Sequence, residues 1–260
     1  MKQRILSGIL MLPLLILVYF GGIALTAGCF IVGMIGVREF FGGFRKIGIE
    51  PSNLIAYLCA AGLYAIHILN AAAIWHMFWF FGTVLACLLY MFNINNRKIS
   101  DGAATLTGVL YVIFFSFHVT LIDQAPGFRL MVWLVFLTAF GTDIMAYFTG
   151  LAIGKHKLCP GISPKKTIEG AIGGVFGSIM FCGIFGYFFM SDYFIHCLII
   201  GALGGVFSQF GDLTASVFKR YMGIKDYGNL IPGHGGVLDR FDSVLFTAPM
   251  VYYYIALILN

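Results

Sequence analysis

The chain has 260 residues, of which 60% are hydrophobic and only 10% are charged, with a formal net charge of +5. Its mean hydropathy of +0.93 excludes a soluble domain with one buried core and indicates a polytopic membrane protein. The basic residues lie mainly between apolar segments, so the positive charge indicates membrane topology and does not favour nucleic-acid binding.

Nine apolar segments approach the roughly 20 residues that a membrane-spanning helix needs. The first two share one apolar stretch that is divided at Gly21 and Gly22, so eight spans is the main alternative. We therefore predict an all-α polytopic integral membrane protein with about nine transmembrane helices, formed by a single membrane domain over residues 1–260. The predicted spans are residues 5–20, 22–43, 53–70, 73–93, 104–122, 128–153, 168–190, 193–217 and 243–259.

The basic residues predict the orientation of these spans. With nine spans and a cytoplasmic N-terminus, every Lys and Arg out of 16 except Arg129 falls on the cytoplasmic side. This asymmetry follows the positive-inside rule, and merging the first two spans would break it. Residues 1–20 have the charged start and apolar middle of a signal peptide, but no small-residue cleavage site follows them, so we predict an uncleaved first span.

Small residues predict which helices pack together. Gly173 with Gly177, and Gly201 with Gly205, form two GxxxG pairs in the seventh and eighth spans. This spacing lets helix backbones approach closely. We expect the two pairs to bring the seventh and eighth spans together and to hold their loops side by side.

Motifs of other enzyme classes are absent from the sequence. The 6 cysteines are scattered without a CxxC pair, which predicts neither a disulfide framework nor a zinc site. GLAIGKH at 150–156 lacks the spacing and the final Ser or Thr of a phosphate-binding P-loop, and no GxSxG nucleophile motif occurs.

Acidic residues in or beside the predicted spans are the first functional signal. Asp143 lies within the sixth span, Asp212 lies near the cytoplasmic end of the eighth, and Asp239 and Asp242 begin the ninth. The helix dipole explains one acid at a helix N-terminus. Several acids at one membrane depth repel each other unless a cation lies between them, and their hard oxygens suit Mg²⁺ bound with a phosphate. The pattern therefore indicates a metal site.

Two predicted cytoplasmic loops, residues 154–167 and 218–242, supply positive charge beside these acids. In the first loop, Lys165 and Lys166 precede Thr167, a predicted cap of the next helix, whose free N–H groups can bind phosphate. Taken alone, this segment is better explained as a plain basic cytoplasmic loop with a Ser-Pro helix start. The second loop contains acids together with the cations Lys219, Arg220, Lys225 and Arg240. It also contains a glycine-rich PGHGG segment, whose backbone N–H groups can approach a phosphate closely.

The segment SVFKRYMGIKDYGNLIPGHGGVLDRFDS, residues 216–243, resembles the signature of the phosphatidate cytidylyltransferases. The upstream SPKKT segment, the EG that follows it and the Gly-Asp pair at 211–212 agree, so the resemblance in motif covers residues 141–243. Two positions depart from the pattern. Ala215 stands where many members have an acid, and Tyr227 stands where a small residue usually follows Lys-Asp. These departures bear on substrate preference more than on the class of reaction.

The resemblance implies transfer of the cytidylyl group of CTP to phosphatidic acid, which gives CDP-diacylglycerol and pyrophosphate. It implies that Asp212, Asp239 and Asp242 hold Mg²⁺. A second, monovalent cation stays open. The implied catalytic residues are Asp212, Lys219, Arg220, Asp239, Arg240 and Asp242. The implied substrate-binding residues are Asp143, Ser163, Lys165, Lys166, Thr167, Ser216, Lys225, Asp226 and His234.

The resemblance also implies a bacterial inner-membrane protein, with contacts to membrane lipid, an active site that faces the cytoplasm and a homodimeric assembly. Two alternatives stay open at the level of sequence. One is an ion or solute transporter, since acids within spans also mark ion paths, although the concentration of charge at one end and the lack of an inverted repeat weigh against it. The other is a related CTP-using enzyme that acts on another lipid.

Overall fold

Helices make up most of the computed structural model, which describes residues 15–230 and 235–259. Two π-helical segments, Val109–Phe114 and Ile255–Leu259, follow α4 and α10, and 3₁₀ turns at Arg129–Met131 and Ser191–Tyr193 precede α6 and α8. The α-helices are α1 (Gly22–Arg45), α2 (Asn53–Ile68), α3 (Ile74–Tyr90), α4 (Ile99–Gly108), α5 (Phe115–Asp123), α6 (Val132–Ile153), α7 (Ile168–Phe189), α8 (Phe194–Tyr221), α9 (Leu238–Phe241) and α10 (Val244–Tyr254).

The helices agree with the predicted membrane spans in position, but not all of them reach the length of a span. Three shorter apolar helices coincide with other predicted spans: Asn53–Ile68, Ile74–Tyr90 and Val244–Leu259. The prediction of a helical protein with apolar spans is confirmed. The count of nine is not, since the first predicted span falls largely on residues 1–14, outside the described residues. The five segments that are long and apolar enough to cross a membrane are Gly22–Arg45, Ile99–Asp123, Arg129–Ile153, Ile168–Phe189 and Ser191–Tyr221.

Two helices extend beyond the spans predicted for them. The fifth span begins at Ile99 and not at residue 104, because the Asp101 carboxylate accepts a hydrogen bond from the backbone N–H of Lys98 at 2.8 Å. The eighth continues to Tyr221, and Gly223, two residues later, has a φ of +65° that suits the residue after a helix end. Lys219 therefore lies on α8 and not in a loop.

A β-hairpin stands where the sequence predicted only a loop. Strands β1 (Lys157–Cys159) and β2 (Ser163–Thr167) pair antiparallel, so the all-α prediction missed this element. The Glu169 carboxylate anchors the start of the hairpin by accepting the backbone N–H of Lys155 at 3.0 Å and that of His156 at 3.2 Å. At the other end, the Thr167 hydroxyl accepts the N–H of Gly170 at 3.1 Å, which confirms Thr167 as the cap of α7.

Close packing of α7 against α8 confirms part of the glycine prediction. A Cβ atom on Gly201 would lie 2.8 Å from the Ile179 Cα atom, and one on Gly205 would lie 3.0 Å from the Val175 Cα atom. Because these contacts are with backbone atoms, a side chain at either glycine would force the two helices apart.

The other glycine pair packs against a different helix from the one predicted. Side chains at Gly173 and Gly177 would collide with Thr149 and Met145 of α6. Helix α7 thus has neighbours on two sides and needs small residues on both faces. The prediction that this pair faces the eighth span was wrong, since a GxxxG pattern specifies a narrow face but not the helix opposite it.

Aromatic rings join the N-terminal helix α1 to the end of α8. The Phe40 ring lies 5.0 Å from the Phe218 ring and 5.5 Å from the Tyr111 ring, measured between centroids. Edge-to-face and tilted pairs at these distances are favourable beyond the area that they bury. The Phe44 ring also lies 6.4 Å from the Phe218 and Tyr221 rings, so this cluster fixes the end of α8 against the last turns of α1.

Candidate active site

Two lysines connect the acids that the sequence singled out. Lys166 of β2 donates a hydrogen bond to the Asp212 carboxylate on α8. Lys219, roughly two turns further along α8, places its Nζ atom 2.9 Å from Asp239 Oδ1 and 3.9 Å from Asp242 Oδ2. The structure thus brings together the hairpin, α8 and the segment around α9, as the prediction of one charged site requires.

Most of these charges are shielded from water. Asp239 and Asp242 are each 8% exposed, and the Lys219 side chain is 14% exposed. A buried charge is costly unless it is paired and hydrogen-bonded. Among the described ion pairs, Lys166 and Lys219 serve the three carboxylates of Asp212, Asp239 and Asp242, and neighbouring carboxylates favour a bound cation.

Asp239 is fully engaged by protein groups. Its Oδ1 atom accepts from Lys219, and its Oδ2 atom accepts the backbone N–H of Tyr227 at 2.8 Å and that of Gly236 at 3.0 Å. The carboxylate therefore ties together two ends of the signature loop and joins them to α8. Its predicted role as a metal ligand stays a prediction, and in this arrangement Asp239 holds the segment in place.

Asp212 and Asp242 leave more of their oxygen atoms available. Asp242 Oδ1 accepts the N–H of Ser243 at 2.8 Å, and Asp212 Oδ1 lies 3.5 Å from the Ser216 hydroxyl oxygen. Burial raises the pKa of the Asp242 carboxyl above its usual range, and the charge of Asp212 adds to this effect. A nearby cation would stabilise the ionised carboxylate and so oppose both the effect of burial and that of Asp212 on this pKa.

The donors fit Mg²⁺ in kind. Within residues 15–230 and 235–259, no three His, Cys, Asp or Glu side chains are grouped closely enough to hold one ion. Mg²⁺ is usually bound through one or two carboxylates, with phosphate and water oxygens as its other ligands. Asp212 and Asp242 supply carboxylates of this type.

A cavity of about 440 Å³ opens beside the Lys166–Asp212 pair, between α6, α7 and the hairpin. Asp143 and Lys165 join that pair in its polar lining, while its other walls include Tyr147, Leu151 and Leu158. A charged wall facing an apolar wall suits a molecule with a phosphate group and a hydrocarbon part.

Two arginines of the predicted site differ in their surroundings. Arg220 is exposed, and its Nε atom donates to the Ile162 carbonyl at 3.2 Å, so it holds the turn of the hairpin against α8. The Nε atom of Arg240 is buried, with no hydrogen-bond partner among the described residues. Arg240 therefore keeps a donor for a further group.

The remaining predicted residues have no described hydrogen bond or ion pair with this cluster, or lie outside the described part of the chain. Ser163 begins β2 and is partly buried. Lys225 and Asp226 are exposed in the segment that follows α8. His234 lies outside the described residues, so its predicted role stays a prediction.

Sequence reasoning missed Glu39, which lies on α1 far outside the signature. Its Oε1 atom accepts the backbone N–H of Val237 at 3.1 Å, and its Oε2 atom accepts that of Leu238 at 2.9 Å. A signal was available, because Glu39 is an acid within an apolar span, the same feature that singled out Asp143.

The two departures from the family signature contact each other. The Tyr227 hydroxyl donates to the Ala215 carbonyl oxygen at 3.1 Å, and both residues are buried. The Lys219 Nζ atom lies 5.3 Å from the centroid of the Tyr227 ring, within the range of a cation–π contact. The ring thus packs beside the lysine that pairs with Asp239.

Comparisons with known proteins identify the family of this chain. The model of the cytidylyltransferase family matches residues 2–258. The chain is 33% identical to the phosphatidate cytidylyltransferase of Synechocystis sp. (strain ATCC 27184 / PCC 6803 / Kazusa), covering 99% of this chain and 97% of the relative. It is 32% identical to the enzyme of that name from Bacillus subtilis (strain 168), with 99% and 98% covered. For Staphylococcus aureus (strain COL) the identity is 35%, with 96% and 97% covered. The chain therefore belongs to the cytidylyltransferase family.

Proposed function

We propose that this chain transfers the cytidylyl group of CTP to phosphatidic acid and forms CDP-diacylglycerol and pyrophosphate. Its family and the names of its relatives support this activity. The observation that carries the proposal is the cluster of buried acids and lysines beside a cavity with one charged and one apolar wall. One substrate is a water-soluble polyanion, and the other has its phosphate at the lipid surface.

The reaction needs no nucleophile from the protein. A phosphate oxygen of phosphatidic acid attacks the α-phosphorus of CTP, the bond from that phosphorus to the oxygen bridging to the β-phosphate breaks, and pyrophosphate leaves. The protein must hold two mutually repelling polyanions in line and stabilise the charge that develops. In our proposal Lys166 turns from Asp212 to a phosphate oxygen. Lys219 stays paired with Asp239 and donates a further N–H to a phosphate, and Arg240 donates its buried Nε–H to a phosphate.

Asp212 and Asp242 would hold Mg²⁺, and Asp239 keeps Lys219 and the signature loop beside them. When bound, the ion neutralises phosphate charge and polarises the α-phosphorus. Lys165 and Asp143 line the cavity, where Lys165 binds the lipid phosphate and Asp143 orients the lysines. Arg220 holds the hairpin that carries Lys165.

We extend the proposal to the placement of the chain in a membrane. Nine spans with a cytoplasmic N-terminus put the charged cluster on the cytoplasmic side, where CTP is available. The distribution of Lys and Arg supports this orientation, and the bacterial relatives support a bacterial inner membrane. A single membrane domain and a homodimer complete the proposed organisation.

Mass analysis of the products tests the proposed reaction. Purified protein in detergent is incubated with phosphatidic acid, CTP and Mg²⁺, and we expect CDP-diacylglycerol and pyrophosphate in equal amounts. CDP together with a lipid that has gained one phosphate would show phosphoryl transfer and contradict the proposal. A parallel reaction with diacylglycerol in place of phosphatidic acid tests another acceptor, and flux of solute into sealed vesicles without any product would favour a transporter.

A further inference from the structure

The Glu39 carboxylate lies against the segment that leads into Asp239 and Asp242. Its two oxygens accept the N–H groups of Val237 and Leu238 at 3.1 and 2.9 Å, one oxygen to each group. Because both oxygens are used, the carboxylate fixes the orientation of two successive peptide units. Hydrogen bonds to an ionised acceptor are among the stronger ones in proteins.

Two glycines on opposite sides of the signature loop also pack on this carboxylate. A Cβ atom on Gly228 or on Gly236 would collide with the carboxylate group of Glu39. The chain therefore passes close to Glu39 both shortly after Tyr227 and again just before Val237. In the described part of the chain, no Lys, Arg or His lies within ion-pair distance of Glu39, and its described hydrogen-bond partners are the backbone N–H groups of Val237 and Leu238.

The peptide units that Glu39 holds are directly connected to the charged cluster. Leu238 is followed by Asp239, whose Oδ2 atom accepts the N–H of Gly236 at 3.0 Å and whose Oδ1 atom binds Lys219. A shift of the Val237 and Leu238 peptides would displace this carboxylate. It would also displace Asp242, one turn further along.

We propose that Glu39 is a positioning residue for cytidylyl transfer, which fixes the signature segment so that Asp239, Asp242 and Lys219 keep their arrangement. The inference rests on the proposed function and adds to it a residue from the N-terminal half of the chain. Glu39 acts through the Val237 and Leu238 peptides and touches neither substrate. Loss of this contact lowers the rate of the chemical step more than it weakens binding of CTP.

The test compares Glu39→Gln with Glu50→Gln. The introduced side-chain amide keeps one acceptor oxygen but turns an NH₂ group toward the other peptide N–H, so one hydrogen bond is lost. Glu50 undergoes the same chemical change at an exposed position, where its carboxylate lies 3.6 Å from Arg45. For each purified protein we measure kcat, KM for CTP, the midpoint of thermal unfolding, and hydrogen exchange of the peptide covering residues 235–243.

For Glu39→Gln we expect kcat to fall on the order of tenfold to a hundredfold, as loss of a charge-assisted hydrogen bond implies. KM for CTP stays within about twofold of wild type, as for an interaction that acts in the transition state. Hydrogen exchange becomes faster in residues 235–243 and is unchanged in the other helices. Glu50→Gln behaves as wild type in every measurement.

A second variant separates position from charge. Glu39→Asp keeps the negative charge but withdraws the carboxylate by about 1.5 Å, the length of one C–C bond, so a positioning role predicts that kcat falls here too. Wild-type kcat in Glu39→Asp would overturn the inference.

Three further results would overturn it: unchanged kcat in Glu39→Gln, a fall in kcat without faster exchange in residues 235–243, or faster exchange throughout the protein. If wild-type protein forms no CDP-diacylglycerol, the proposed function fails. Hydrogen exchange of residues 235–243 then tests the Glu39 contact independently of activity. Unchanged exchange in Glu39→Gln would refute the contact, and faster local exchange would support it.

Discussion

Lys219 makes more contacts with the charged cluster than its place in the sequence suggests. Its Nζ atom lies 2.9 Å from Asp239 Oδ1, 3.9 Å from Asp242 Oδ2 and 5.3 Å from the Tyr227 ring centroid. Since the two carboxylates are buried, this lysine offsets charge that water does not reach. Its removal would leave acids without their partner, which is strongly destabilising in buried ion pairs.

We therefore expect Lys219→Met to lower turnover by about 100-fold or more, as for loss of a group that stabilises developing charge. Unfolding should also become easier, by about 3–5 kcal/mol. Lys219→Arg keeps the charge and separates these effects: it should retain the fold and recover part of the turnover. Lys46→Met, at an exposed position after α1, is the matched control. Turnover close to wild type in Lys219→Met would show that this lysine is not part of the active site.

The sequence predicted some of these residues better than others. Asp212, Asp239 and Lys219 were identified because charge beside apolar spans is rare and costly. Glu39 was not identified, and Tyr227 was noted only as a departure from the family signature. Both act through backbone groups: Glu39 accepts peptide N–H groups, and the Tyr227 hydroxyl donates to a carbonyl. A motif records side-chain types and spacings, and it does not record which peptide group lies opposite a side chain.

The secondary-structure elements also differ in how well the sequence predicted them. Apolar length predicted the helices well, and Thr167 was correctly predicted to cap α7. The hairpin over β1 and β2 was missed, since its strands are too short for an alternating pattern and depend on contacts from outside. Glu169 binds its beginning, and Arg220 binds the Ile162 carbonyl at its turn. Helix α8 ends at Tyr221, shortly before Gly223, whereas its apolar part ends before Lys219. Hydropathy alone therefore placed the end of this helix too early.

Packing of α7 on α8 gives a prediction for this pair of helices. Gly201→Ala places a methyl group 2.8 Å from the Ile179 Cα atom, so the helices must move apart. We expect a loss of about 1–3 kcal/mol in stability, as for other overpacked sites, together with reduced turnover, because α7 follows the hairpin and α8 carries Asp212. Gly82→Ala, on α3 with no described atom within 4 Å of the new methyl group, should be neutral or slightly stabilising. Thermal unfolding in detergent measures the stability of both variants. An equal change in stability for Gly201→Ala and Gly82→Ala would contradict the close packing of α7 on α8.

At the scale of the whole molecule, the charged cluster gathers at one end of the helices. The hairpin, the end of α8 and the start of the last helix meet there, although they are far apart in the chain. The positive-inside rule predicts on which side this end lies. The sequence predicted this gathering from its charges, its glycine spacing and the resemblance of residues 141–243 to the family signature. The contact of α1 with the cluster through Glu39 required the three-dimensional arrangement.

Labelling of introduced cysteines tests the proposed orientation. In a protein whose 6 native cysteines have been replaced, Lys46→Cys and Lys225→Cys should react with a membrane-impermeant maleimide only in inverted vesicles. Asp192→Cys, between α7 and α8, should react only in intact spheroplasts. These sides follow from nine spans with a cytoplasmic N-terminus. Reaction of Lys225→Cys and Asp192→Cys from the same side would contradict the nine-span topology.

Transfer of cytosine-labelled CTP into lipid is the most direct measurement of whether the charged cluster is the active site. Purified wild-type protein with phosphatidic acid and Mg²⁺ should move label into the lipid phase, and EDTA should abolish this. Asp242→Asn should lower the rate by about 100-fold or more while the protein stays folded, whereas Asp192→Asn, at an exposed position, should match wild type. Transfer that survives EDTA, or a near-normal rate in Asp242→Asn, would contradict a metal-assisted site at these acids.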